Sequence, residues 1–166
     1  IFTLSGIWHP LHGEAAFCET GAGRNRTEIQ FRHEKAGEVM KTAEQAIHDC
    51  LWKYLAAKLP VYESRPMKDV GYPFADFEDS STGHLATKGR ALPRITVNLN
   101  IWDKHEKRSN VSAICSRLMD YARGLEEAYG YEVSLRISDS AFTVNEDRTA
   151  IPSIWRGMVS LVFDIL

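Results

Sequence analysis

The sequence predicts an α+β fold: a mixed, mainly antiparallel sheet of four to five strands with two helices packed on one face. Three observations carry that expectation. Two segments, Thr42–Leu59 and Ser109–Tyr129, repeat their apolar residues at helical spacing. Arg94–Trp102 alternates Ile95, Val97, Leu99 and Ile101 with Arg94, Thr96, Asn98 and Asn100, the pattern of a strand with one buried and one wet face. Ser153–Leu166 is apolar on both faces, as in a strand covered on both sides.

In chain order, residues 1–39 come first and differ from the rest. Gly6, Gly13, Gly21, Gly23 and Gly37 interrupt any period, so this part reads as an extension. Two origins fit it. Gly37-Glu38-Val39 before Met40 is what a ribosome-binding stretch ahead of a start codon would encode, which makes Met40 a candidate natural first residue. The other origin is a true arm that orders against a neighbouring subunit. Residues 40–166 then form the domain.

The first helix carries Ala43, Ala46, Ile47, Cys50, Leu51, Tyr54, Leu55 and Leu59 on one face, and Pro60 ends it. Thr42 is its expected N-cap, with Gln45 placed to reach back and complete a capping box. A short strand over Val61–Ser64 follows, then a strand from Tyr72 to Glu78 in which Pro73 marks an edge or starting position. Asp79–Pro93 reads as a long polar loop. After the Arg94–Trp102 strand, the second helix places Val111, Ile114, Leu118, Ala122, Leu125 and Tyr129 on one face, with Gly130 ending it. Val133, Leu135 and Ile137 alternate as a strand that can form a hairpin with Phe142 and Val144. In the last strand Trp155, Gly157, Val159, Leu161, Phe163 and Ile165 share one face, and Ile154, Met158, Val162 and Leu166 the other. Two helices cover one side of such a sheet, so a neighbouring subunit is expected to meet the remaining apolar surface.

Composition narrows the function. A chain of 166 residues fits one main domain, and 44% hydrophobic residues, 25% charged and a net charge of -2 describe an average globular protein without the basic excess of a nucleic-acid binder. No apolar run approaches the roughly 20 residues of a membrane helix, and the N-terminus lacks a secretory pattern, so a soluble, intracellular origin is expected. Cys18, Cys50 and Cys115 are an odd set without a CxxC, which fits free thiols, with Cys50 and Cys115 in the core.

No residues announce an enzyme or a cofactor site. His9, His12 and Cys18 lack a fourth ligand for zinc. His48, His84 and His105 are scattered over a helix, a loop and a strand end. Gly83–Gly89 has no phosphate-loop pattern. Asp76, Glu78 and Asp79 lack the spacing of a calcium loop and read as a solvated rim. Trp102 falls out of phase with the apolar residues of its strand, so it is either an interface anchor or covered by the long loop.

The Thr42-Ala43-Glu44-Gln45-Ala46-Ile47 helix start, the Tyr72-Pro73-Phe74-Ala75-Asp76-Phe77 strand, the Ile95–Trp102 strand running into the Ser109 helix, and Trp155-Arg156-Gly157 opening the last strand together carry a resemblance. Residues 40–166 resemble the tail terminator, or tail completion, proteins of long-tailed phages. The resemblance implies a non-enzymatic virion protein of the tail and neck, assembled in the bacterial host cytoplasm. It implies a ring, a hexamer, that caps the head-proximal end of the tail tube, stops tube polymerisation and docks the tail to the head connector. Its partners would be copies of itself, the major tail tube protein and a connector or head-closure protein, with genomic DNA only as cargo in the lumen and no membrane. Nothing carries over to residues 1–39. The residues expected at subunit or partner contacts are Phe77, His84, Lys88, Arg90, Trp102, Trp155, Arg156 and Met158. Rival readings are another neck or tail component, a small hydrolase using Asp76, His84 and His105, or a bacterial binding domain.

Overall fold

The structure, a computed structural model, describes residues 41–87 and 90–166, and their side chains except at 85–87, 90 and 91. The described residues form α1 (Ala43–Ala56), β1 (Val61–Tyr62), β2 (Phe74–Thr87), β3 (Arg90–Lys104), α2 (Arg108–Arg123), β4 (Glu127–Ala128), β5 (Tyr131–Leu135), β6 (Ala141–Asp147) and β7 (Ile154–Ile165). The strands make one mixed sheet in the order β1-β2-β3-β7-β5-β4, with β6 also on β7. Only β1 and β2 run parallel. No described helix is long and apolar enough to cross a membrane.

α1 starts where Thr42 Oγ1 accepts the Gln45 backbone N–H at 3.2 Å, which satisfies one of the donors a helix start leaves unpaired. The Gln45 side chain does not return the bond. Its amide donates to Asp49 Oδ1 at 2.8 Å, a turn further on, so the capping box is only half formed. Ala46, Ile47, Leu51 and Leu55 are fully buried under α1. Each large aliphatic side chain so buried stabilises by roughly 1.5–3 kcal/mol, more than helix propensity supplies, so a charge at Leu51 would detach the helix.

α2 buries Val111, Cys115, Leu118 and Ala122 at the same spacing. It ends at Arg123 with Gly124 as C-cap, short of the expected Tyr129. Tyr129 (φ 47°) and Gly130 (φ 90°) are instead the two central residues of a tight turn joining β4 to β5, where Ala128 pairs with Tyr131. Positive φ at both positions is what a two-residue hairpin of the favoured twist requires.

Both helices lie on one face. There Ala75, Phe77, Ile95, Val97, Leu99, Ile101, Val159, Leu161, Phe163 and Ile165 join the buried stripes of α1 and α2 in one core. Gly157 on β7 lets α2 come close. The opposite face holds a smaller cluster of Phe74, Trp102 and Ile154, with Tyr62, Val70, Tyr72 and Ala150 packed against it.

Three further expectations are corrected. The sheet has seven strands, counting the short β4, and Asp79–Pro93 is no loop but continues β2 and begins β3 as a long hairpin, with Ser80 opposite Val97 and His84 opposite Pro93. Ser80–Gly83 form an exposed sheet edge, where serine, threonine and glycine are tolerated, so their polarity hid the strand. The expected hairpin between Val133–Ile137 and Phe142–Val144 does not form. β5 and β6 lie end to end along one edge of β7, Val133 opposite Ile165 and Phe142 opposite Val159. The chain leaves that track at 136–140, where Ser140 Oγ accepts the Val162 N–H at 2.9 Å. The third concerns Trp102, which is 2% exposed and not covered by the stretch expected as a loop; Arg65, between β1 and β2, lies over its ring.

Candidate interaction surface

The sheet face away from the helices is set by register. Arg94, Thr96, Asn98, Asn100 and Trp102 of β3 lie opposite Asp164, Val162, Ser160, Met158 and Arg156 of β7, and Thr143 and Asn145 of β6 continue two of these rows. This face is mostly amides, hydroxyls and paired charges. Arg94 Nε reaches Asp164 Oδ1 at 3.0 Å, and Arg136 Nη1 reaches Asp164 Oδ2 at 2.8 Å. Arg156 Nη2 reaches Glu78 at 3.1 Å, and Arg65 lies 3.8 Å from Asp147. Burial works against the Asp164 charge, but the hydrogen bonds from Arg136 and Arg94 hold its carboxyl below the ordinary range.

Asp76 anchors the centre of this face. It is 3% exposed and accepts hydrogen bonds from Trp102 Nε1 and, at 3.2 Å, from Asn100 Nδ2. Burial pushes its carboxyl above the ordinary range, against the two hydrogen bonds. Asn100 Oδ1 in turn accepts from Arg156 Nε at 3.0 Å. The Trp102 ring has the Arg65 guanidinium 4.2 Å from its centroid, that of Arg156 at 5.2 Å and the Phe74 ring at 6.2 Å. An aromatic out of phase in its strand is thus kept dry by its own chain, with its N–H satisfied.

Beyond Asp76, no described residue pairs with the outer side of β2, and none pairs with the outer side of β6. Beside the β2 edge is a groove of about 390 Å³ lined by Glu44, His48, Glu63, Glu78 and Asp79 among others. His48 sits there 3.2 Å from Glu63 and against Phe77. On the β6 side α2 presents Arg108, over the Trp155 ring, and Arg123, 3.4 Å from Asp120, while Arg148 after β6 is held by Glu146 at 2.9 Å.

A hydrogen-bonded knot that the sequence did not announce ties Ser153, His105 and Glu146. Ser153 Oγ lies 2.7 Å from both His105 Nδ1 and Glu146 Oε1. Nucleophilic relay needs the hydroxyl and the carboxylate on opposite ring nitrogens. Here both meet Nδ1, Glu146 at 3.5 Å, so the knot fastens the turn after β3 to the turn before β7. Trp155 Nε1 adds to it by donating to the His105 carbonyl at 2.6 Å. A groove of about 600 Å³ opens beside it, lined by Tyr72, Lys104–Lys107 and Ala150–Pro152 among others.

Asp76, His84 and His105 do not converge. His84 lies along β2 from Asp76 by a strand length of roughly 25 Å. No group of three or more metal-ligating side chains forms among the described residues. Of the contact residues read from the sequence, His84 is exposed, Arg156, Met158 and Trp155 are half-buried, and Phe77 and Trp102 are buried within the chain. Lys88 and the Arg90 side chain lie outside the described residues, as do His9, His12, Cys18 and the whole 1–39 extension. Cys115 is buried in the core and Cys50 half-buried, both as free thiols.

The fold is shared with a chain of the virion of a native gene transfer agent particle. The TM-score is 0.54 at 11% identity, over 74% of this chain and 93% of that one. A second solved chain aligns over 76% of this chain and 97% of its own, at 15% identity and a TM-score of 0.45. No family model and no curated protein matches the sequence.

Proposed function

We propose that this chain is a virion structural protein of a phage-like particle, a tail terminator whose ring caps the head-proximal end of the tail tube. The observation that carries the reading is the open sheet face. Its arginines Arg65, Arg94, Arg136 and Arg156 are each held by a carboxylate, between rows of amides and hydroxyls. A wall that must let DNA slide should not bind phosphates by releasing their counterions, and paired arginines have little charge left for that. Sharing a fold with a virion chain supports the same class. In this reading the ring is a hexamer, one rim meets the major tube protein, the other meets the connector, and nothing is catalysed.

Native mass spectrometry of the full chain, followed by mixing it with polymerising tube subunits, tests this. A closed ring that halts tube growth, seen as short capped tubes by electron microscopy, is the expected outcome. Long tubes grown by this protein alone would identify a tube subunit instead. A chain that stays monomeric and leaves tube length unchanged sinks the reading.

A further inference from the structure

One end of the sheet gathers the start of β2, the end of β3, the end of β6 and the start of β7, with Phe74 opposite Trp102, Asp103 opposite Trp155 and Asp147 opposite Ile154. α1 finishes at this end, because it leads through Pro60 into β1 beside the start of β2, and α2 begins there, directly after β3. Three depressions cross it. The groove of about 600 Å³ beside the Ser153 knot meets a second, of about 570 Å³, at Tyr72, Lys104 and Lys107. The second meets a third, of about 400 Å³, at Pro73 and Asn110. Together they make one furrow that runs from Ile151 past the start of α2 to Lys58 and Arg117.

Its floor is apolar and its rim is mainly basic. Tyr72, Pro73 and Ile114 are half-buried along it, Ile154 is buried, and Ile151 stands fully exposed. Lys58, Lys104, Lys107 and Arg117 are exposed, and none has a carboxylate partner among the described residues. Asp103 is spent on the Lys104 N–H and the Asn110 amide. α2 opens on Lys107 and Arg108 with no acid in its first turn. These cations sit at the positive end of the helix dipole, a placement that destabilises the chain until an anion arrives. Asp69 and Glu106 interrupt the rim, so an unbroken run of phosphates would meet repulsion, and an aliphatic floor offers a nucleic acid little to bury. A polypeptide whose carboxylates are spaced by apolar side chains suits both the rim and the floor.

We propose that this furrow docks an acidic segment of another protein, with carboxylates on Lys104, Lys107 and Arg117 and apolar side chains against Tyr72 and Ile151. This deepens the tail reading above and rests on it only in assigning the segment to a tail protein. The apolar contacts hold the segment, and the spaced charges steer and select it.

The test uses the full chain and a short fluorescein-labelled peptide of aspartates and glutamates around a pair of leucines. It runs beside the same peptide with lysines for its acids and beside a labelled DNA duplex. Fluorescence anisotropy should show the acidic peptide bound, more weakly as salt rises. Lys104→Glu with Lys107→Glu should weaken it on the order of ten-fold, and Ile151→Ser by a smaller factor. The charge-reversed variant should melt no lower than the wild type, because the helix start loses a cation. Ile137→Ser, an exposed isoleucine outside the furrow, should bind as the wild type does. No binding, equal binding of the lysine peptide, or full affinity in the charge-reversed variant would overturn the proposal. Tighter binding of the duplex through the same lysines would also overturn it and make the furrow a nucleic-acid contact.

Carbodiimide treatment of assembled particles, which joins amines to carboxylates without a spacer, should link Lys104 or Lys107 to an aspartate or glutamate of a tail partner. Particles that assemble with no such link, or equally well with the charge-reversed variant, would overturn the docking and leave the tail reading intact. A chain that caps no tubes yet binds the acidic peptide through the furrow removes the tail reading and keeps the docking surface.

Discussion

Gly157 stands directly beneath Cys115: a Cβ at position 157 would lie 2.5 Å from Cys115 Sγ and 2.7 Å from Val111 Cγ1. α2 therefore approaches β7 at the only residue of that strand without a side chain. Gly157→Ala should destabilise by about 1–3 kcal/mol through overpacking, measured as a lower denaturation midpoint with an unchanged slope. Adding Cys115→Ala should recover part of the loss, because it removes the nearer clash. Strict additivity of the two changes would show that the helix does not rest on that glycine.

Asp76 gives the open face its pH dependence. Its folded-state carboxyl is raised by burial, so the folded chain holds a proton where the unfolded chain has lost it. Its contribution favours the fold at low pH and fades as pH rises from about 4 through the raised value. The lowered carboxyls act the other way: Asp49, through the Lys41 hydrogen bond, and Asp164 lend stability that is lost as pH falls. The difference between wild type and Asp76→Asn in urea melts across pH 4–7 isolates the first term. The wild type should lose stability relative to the variant as pH rises, and a flat difference would contradict it.

Trp102 combines burial with a hydrogen bond, and two substitutions separate them. Trp102→Phe keeps most of the apolar volume but leaves Asp76 without its indole donor, at a cost of roughly 1–3 kcal/mol. Trp102→Ala also opens a cavity between Arg65, Phe74 and Arg156, at a cost of about 3–5 kcal/mol. Equal losses would mean that the ring body contributes nothing.

Cys115 should be chemically silent in the native state. Burial pushes its thiol up to about 12, so almost no thiolate exists at pH 8 and no path leads to it. Iodoacetamide followed by peptide mapping should find Cys50, half-buried, modified before Cys115 in folded protein, and both modified in denaturant. Native-state modification of Cys115 at the rate of Cys50 would show that α2 lifts from the sheet.

Gly130 carries a φ of 90°, where a side chain is strained even though the space around it is open. Gly130→Ala should cost on the order of 1 kcal/mol, visible as a small drop in melting temperature. No change would mean that the β4–β5 turn rearranges at no cost.

Strong periodicity was legible. Ile47, Leu51 and Leu55, the alternation of β3 and the two-faced β7 all lie where their spacing places them, because burial of one face dominates their energetics. Local punctuation was less reliable. Gly130, read as the end of the second helix, lies instead in the β4–β5 turn, and the helix stops at Gly124. The polar run from Asp79 onward hid a strand because that part of β2 is a sheet edge exposed on both faces. Phe142 and Val144 alternate equally well against β5 or β7, and sequence spacing carries no information about which neighbour they choose. The Ser153–His105–Glu146 knot joins turns distant in sequence, and nothing in the order of residues signals it. The same holds for the pairing of Arg94 with Asp164 and of Arg156 with Glu78, which gives the open face its character.

β7 pairs with β3 along one side and with both β5 and β6 along the other. It follows all of them in chain order. During synthesis the β2–β3 hairpin and α1 can form early from local contacts, but β3 keeps a bare side until β7 emerges and fills the gap. Completion of the sheet is therefore the slow, long-range step, and a nascent chain is most exposed to wrong partners just before it.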